Sequence, residues 1–171
     1  MENENLSLEK LIKECESLSE FRGVYPVPLG SICEKLGVDF CSEEMSDDLS
    51  GLISYEDGKY SLKVNDAHSI LRKRFTVAHE LGHYLLHQDI LKKEGKILER
   101  SVKKTPTEID GVKREREANE FAAELLMPEK HFIERYREFQ YAVLEQLSEY
   151  FAVSVAAVRV RLLNLGIVLS Y

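Results

Sequence analysis

Cysteine is scarce in this sequence, with three in 171 residues: Cys15, Cys33 and Cys41. They are odd in number, widely separated and form no C-x-x-C pair, which excludes a disulfide scaffold and a structural zinc knuckle. Buried reduced thiols are the expected state. Long apolar runs are missing too. Nothing approaches the ~20 residues needed to cross a bilayer, and Met1-Glu2-Asn3-Glu4-Asn5 is acidic and lacks the apolar core of a signal peptide. Positive charge is in deficit, 23 Lys and Arg against 30 Asp and Glu, for a net charge of −7. General nucleic-acid or anionic-membrane binding needs clustered cations, so neither is expected. The absences point to a cytoplasmic protein. Its 44% hydrophobic and 31% charged content is that of an ordinary globular chain. Its length suits one domain, or one with a small appendage, and a core that needs no staples.

What is present is organised around Arg74-Phe75-Thr76-Val77-Ala78-His79-Glu80-Leu81-Gly82-His83-Tyr84-Leu85-Leu86-His87. On a helix, four residues turn the chain by about 400°, so His79 and His83 stand one turn apart on one face. Both imidazoles can then reach one ion at roughly 2.0–2.1 Å, the spacing of a zinc hydrolase site. Glu80, rotated by about 100°, is poorly placed as a third ligand on that axis but well placed as a general base. Val77, Leu81, Tyr84 and Leu85 fall at helical spacing on the flank away from the histidines, so this helix, from about 69 to 88, packs one side into a core. Gly82 costs roughly 1 kcal/mol against alanine in a helix, which implies that another backbone or a substrate comes close there.

Around this helix the chain reads as follows. Residues 6–21 are an amphipathic helix carrying Leu8, Leu11, Ile12, Cys15 and Leu18. Pro26-Val27-Pro28 breaks the pattern, and a short helix at about 29–36 closes at Gly37. Val38 to Cys41 is a brief strand. Residues 51–64 form a hairpin turned at Asp57-Gly58, whose edge could pair with an extended substrate. Residues 91–111 are lysine-rich with little periodicity, as in a loop over the cleft or a solvated linker.

A catalytic zinc takes three protein ligands and keeps one position open. His87 lies about 12 Å from His79 along an unbroken helix. It cannot share the ion; it lines the cleft or faces solvent, or, like Asn119 and Tyr84, is a candidate to hold a ligand from behind or to serve as an oxyanion donor. The helix at about 112–127 offers carboxylates. Its apolar face is Ala118, Phe121, Ala122 and Leu125, and Glu115 sits within roughly 50° of that face while Glu117 lies more than about 100° away, with Glu120 and Glu124 on the wet side. An inward carboxylate needs a partner, so Glu115 is the expected third ligand. Asn119, one turn on, is placed to orient a ligating histidine.

Two stretches together, the one from Arg74 to His87 and Glu115-x-x-Ala118-Asn119-x-Phe121-Ala122-x-x-Leu125-Leu126-Met127-Pro128, closely resemble the ImmA/IrrE family of zinc metallopeptidases over about residues 60–166. The resemblance implies a zinc site of thermolysin-like geometry formed by His79, His83 and Glu115, with Glu80 as base. Related nitrogen and carboxylate sites also accept Mn²⁺ or Fe²⁺. The resemblance further implies a substrate, a helix-turn-helix repressor encoded nearby, whose cleavage derepresses mobile-element, stress or DNA-repair genes. The alternative is a zinc-stabilised antirepressor or a toxin–antitoxin binding module that does not cut. An oxyanion donor is expected among Tyr84, His87, His131 and Tyr136.

The last residues, 141–166, read as two short helices with Ser154 capping the second, in the manner of a helix-turn-helix. Arg159 and Arg161 are offset by Glu145 and Glu149, so direct DNA contact is not expected. The expected architecture is α+β. A mostly helical zincin-like core with a small antiparallel sheet spans 1–139, and a helix-turn-helix-like subdomain spans 140–171.

Overall fold

A computed structural model describes residues 16–100, 109–139 and 143–167. The fold is α+β, with seven α-helices and a four-stranded sheet among these residues. A 3-10 turn over Glu16–Phe21 comes first, and the rest of the predicted 6–21 helix lies outside the described residues. Helix α1 (Leu29–Lys35) leads through Gly37, whose φ of 67° suits a residue without a side chain, into β1 (Val38–Glu43). Strands β2 (Leu49–Glu56) and β3 (Lys59–Asn65) form the predicted hairpin. Both turn residues are left-handed, Asp57 at 50° and Gly58 at 81°, as a two-residue turn between twisted strands requires.

The sheet order is β1-β3-β2-β4, with β1 parallel to β3 and the other pairs antiparallel, so the sheet is mixed and not purely antiparallel. Strand β4 (Lys96–Arg100) falls inside the stretch expected to be a loop, as does most of helix α3 (Gln88–Glu94). Residues 101–108 lie outside the described residues. Because β2 pairs with β3 and β4, and β3 with β1 and β2, the hairpin has no open edge for a substrate. Among the described residues the open edges belong to β1 and β4.

Helix α2 (Ile70–Leu86) crosses the sheet. Ser69 caps it by accepting from the Arg72 amide. Val77 and Leu81, 3% and 0% exposed, are each worth about 1.5–3 kcal/mol of burial. Its first turns are fastened on several sides. Arg72 Nη2 donates to Ser50 Oγ, Lys73 pairs with Asp66, and Arg74 donates to the carbonyls of Val27 and Ala152. Arg74 therefore ties α2 both to the segment before α1 and to the turn of the C-terminal helix pair.

Helix α4 (Ile109–Leu126) lies against α2, and the predicted apolar face is buried. A Cβ at Gly82 would stand 3.1 Å from Ala118 Cα and 3.2 Å from Ala118 O, so the close approach foreseen at Gly82 is that of the α4 backbone. Helices α5 (Glu129–Glu138), α6 (Val143–Phe151) and α7 (Val155–Asn164) follow, and Ser154 caps α7 through the Ala157 amide. Phe132, Leu147, Phe151, Val158 and Leu162 join the same buried cluster as α2 and the sheet. Cys33 is buried, but Cys41 is exposed on β1, against expectation. Cys15 lies outside the described residues.

Candidate metal centre

The α2–α4 contact sets the geometry of the centre. With Gly82 against Ala118, the glutamate three residues before Ala118 projects over the preceding turn of α2. His79 Nε2 lies 3.1 Å from His83 Nε2, and the Glu115 carboxylate oxygens lie 3.3 Å from each. Atoms bound at 2.0–2.1 Å to a tetrahedral zinc stand about 3.3–3.4 Å apart. The three side chains therefore already have the spacing of a metal's ligand atoms. They are also the one three-residue group of this kind among the described residues.

The protons fit as well. His79 Nδ1 is 3.0 Å from Asn119 Oδ1, which can only accept, so Nδ1 carries the hydrogen and Nε2 keeps a lone pair. His83 Nδ1 is 3.0 Å from His87 Nδ1, and His87 Nε2 is 3.1 Å from Glu117 Oε2. The carboxylate accepts from His87 Nε2–H. That leaves His87 Nδ1 as the acceptor of His83 Nδ1–H, and His83 Nε2 with a lone pair. Two imidazole lone pairs and a carboxylate then converge on one point, an arrangement that calls for a cation. The donor set fits a divalent ion.

The electrostatics of the side chains agree. Burial pushes the His83 imidazole below its ordinary pKa, despite the Glu115 carboxylate beside it. For Glu115, burial acts to raise the pKa, but hydrogen bonds and charge from His79 and His83 in their protonated forms outweigh it and hold the carboxyl at about 2; with Nε2 lone pairs facing it instead, a cation takes the place of those protons. Neutral imidazole and ionised carboxylate are the forms that bind metal.

Glu80 is fully buried between α2 and the sheet. At Gly51 on β2 an added Cβ would overlap the Thr76 methyl and stand 3.1 Å from Glu80 Oε1. Gly51 thus lets the sheet close down on the Glu80 carboxylate. The β2–β4 register shifts between Leu49 and Gly51, an irregularity of the kind often found beside active sites.

Other expected residues are placed differently. His87 is 7% exposed and does not face solvent. Helix α2 stops at Leu86 and His87, at φ −129°, joins it to α3; its amide still donates to the His83 carbonyl, and its imidazole, one turn on from His83, meets that ring. Glu117 bonds His87, and Glu124 pairs with Arg161, so of the three acids assigned to the wet side only Glu120 is exposed, at 54% of its side chain. The Tyr84 hydroxyl donates to the Leu36 carbonyl. His131 stacks on Tyr25 and bonds the Tyr150 hydroxyl, and Tyr136 packs against the core. The structure does not bring Tyr84, His131 or Tyr136 into the His79–His83–Glu115 group. Glu117, which the helical wheel assigns to the wet side, instead faces the end of α2 and bonds His87.

The match to a known family covers this whole arrangement. The Peptidase_M78 family, described as the IrrE N-terminal-like domain, matches residues 33–163, from α1 to the end of α7. The chain belongs to the Peptidase_M78 family. A Mycobacterium tuberculosis transcriptional regulator shares the Peptidase_M78 chain's fold with a TM-score of 0.56 at 21% identity. The match covers 78% of this chain and 39% of that one, so the likeness is one of fold and spans well under half of the regulator. Among curated proteins, none matches. As a member of a peptidase family with a three-residue group suited to a metal, the chain combines a metallopeptidase fold with a candidate ligand set. No helix among the described residues is long and apolar enough to cross a membrane.

Proposed function

We propose that this protein is a zinc-dependent endopeptidase acting on a regulatory protein, a helix-turn-helix repressor encoded near it. His79, His83 and Glu115 hold the ion, and Glu80 is the general base. The observation that carries this reading is the convergence of two imidazole lone pairs and one carboxylate at 3.1–3.3 Å, with Glu80 adjacent on the same helix. A divalent ion at that point lowers the pKa of a water toward about 7 and polarises a carbonyl. The chain's own residues do the rest. Asn119 and His87 hold the two imidazoles in the tautomer that presents Nε2. Glu80 takes the proton of the attacking water and passes it to the leaving amine. Helices α6 and α7 act as a helix-turn-helix-like subdomain packed on the peptidase core, in the cytoplasm.

The regulatory substrate is supported by the family and by a structural neighbour that is itself a transcriptional regulator. Arg161, one of two arginines in α7, is engaged with Glu124 and the Met127 carbonyl, which leaves fewer cations for phosphate contacts. The test is incubation of the zinc-loaded protein with the purified repressor. Discrete fragments that vanish on chelation and return with zinc are expected. An intact repressor in a stable complex would favour the rival reading, a binding module that sequesters without cutting.

A further inference from the structure

The histidine one turn beyond the metal-helix pair is buried and hydrogen-bonded at both ring nitrogens. It makes no direct contact with the point on which His79, His83 and Glu115 converge. We infer that His87 and Glu117 are positioning residues for His83, forming a chain from carboxylate to imidazole to imidazole that fixes the tautomer and ring orientation of this metal ligand. The inference rests on the reading that His79, His83 and Glu115 hold a divalent ion.

Three observations carry it. The distances are 3.0 Å from His83 Nδ1 to His87 Nδ1 and 3.1 Å from His87 Nε2 to Glu117 Oε2. The hydrogens can be placed without conflict in a neutral chain. Glu117 can only accept, so His87 donates from Nε2 and accepts at Nδ1, which compels His83 to donate from Nδ1 and offer Nε2. Burial is also graded along the chain: His83 is 0% exposed, His87 7%, and the Glu117 side chain 35%. The carboxylate thus keeps some solvent while the imidazoles do not. A ligating imidazole whose other N–H is held this way gains basicity and loses rotational freedom, effects worth about 10–100-fold in metal affinity at comparable sites.

The fold explains why these residues reach one another. On an ideal helix Glu115 and Glu117 lie about 60° to one side and 100° to the other side of Ala118, the residue against Gly82. The two glutamates therefore straddle the α2–α4 contact line, one over the ligand atoms and the other over the end of α2. On α2 itself, His87 is one turn beyond His83, so the two rings meet on one face. Each ligating imidazole is then held from behind by a different device, His79 by the Asn119 amide and His83 by an imidazole backed by a carboxylate.

The test uses the full chain and reads zinc affinity by competition with a chromophoric chelator, with the visible spectrum of the Co²⁺-substituted protein alongside. His87→Leu is expected to weaken zinc about 10–100-fold and to shift the Co²⁺ bands. His87→Asn, which offers an amide oxygen where Nδ1 stood, should recover most of the affinity. Glu117→Ala should weaken zinc by less than His87→Leu and shift the bands in the same direction. Circular dichroism and thermal midpoints of the metal-free proteins separate ligand positioning from packing. If His87→Leu does not fold, the Glu117→Ala and Glu117→Gln pair carries the same test, with Gln closer to wild type. Wild-type affinity and spectrum in a folded His87→Leu would overturn the inference. So would an equal loss in His87→Leu and His87→Asn together with a lowered metal-free midpoint. Failure of the wild type itself to take up zinc would overturn the underlying metal reading, a distinct result seen without any variant.

Discussion

Replacing Glu80 by glutamine is expected to lower the rate of peptide cleavage by about 10²–10⁴ while leaving the fold and the zinc content unchanged. Glutamine has the shape of glutamate, so packing between α2 and Gly51 is preserved in a site where Glu80 has no exposed surface. Its amide cannot accept the proton of an attacking water. The three atoms proposed to hold the ion belong to other residues, so zinc should remain at the wild-type ratio. Cleavage of the repressor, zinc content and circular dichroism measured on one preparation check the three parts separately. Wild-type cleavage by Glu80→Gln would remove Glu80 from the chemistry, and loss of zinc would show that it is a ligand.

The largest effect on stability is expected at Glu124. Arg161 donates to Glu124 and, through Nε at 3.0 Å, to the Met127 carbonyl, and the two charged side chains are only 10% and 12% exposed. Removing one partner of such a pair strands the other charge, at a cost of about 3–5 kcal/mol. That is a large share of the roughly 5–15 kcal/mol by which a native domain is stable. Glu124→Ala should therefore lower the melting midpoint by about 6–20 °C, taking 2–4 °C per kcal/mol for a chain of this size. Glu120→Ala, on the same helix but exposed, should change the stability by no more than about 0.5 kcal/mol. Replacing both partners, Glu124→Leu with Arg161→Met, should restore much of the loss, because a pair removed whole leaves no stranded charge. A single-variant shift as small as that of Glu120→Ala would mean that the ion pair does not fasten α7 to α4.

The parts of the structure that could be read from the sequence are those decided within one element. The approach of His79 to His83 follows from the helical repeat, the inward lean of Glu115 follows from the apolar face that Ala118, Phe121, Ala122 and Leu125 set on α4, and Asn119 stands one turn beyond Glu115. The Asp57-Gly58 turn follows from two left-handed residues. What escaped depends on partners far along the chain. Glu124 and Glu117 look solvated on a helical wheel because Arg161 and His87 are not on that wheel. Strand β4, Lys96-Ile97-Leu98-Glu99-Arg100, has too weak an alternation to stand out, and its identity comes from pairing with β2 more than forty residues earlier. That pairing also removes the open edge the hairpin would otherwise have offered. His87 was legible in part: its place one turn beyond His83 puts it within reach of that ring, but its burial depends on Glu117, which is on another helix.

The most direct test of the central claim is the metal content of the purified protein after zinc loading and removal of excess, beside Glu115→Ala and the exposed control Glu120→Ala. About one zinc per chain is expected in the wild type and in Glu120→Ala, and loss of it in a folded Glu115→Ala. Zinc retained at the wild-type ratio and affinity without Glu115, or no zinc in the wild type, would contradict the assignment of His79, His83 and Glu115 as the site that holds the ion.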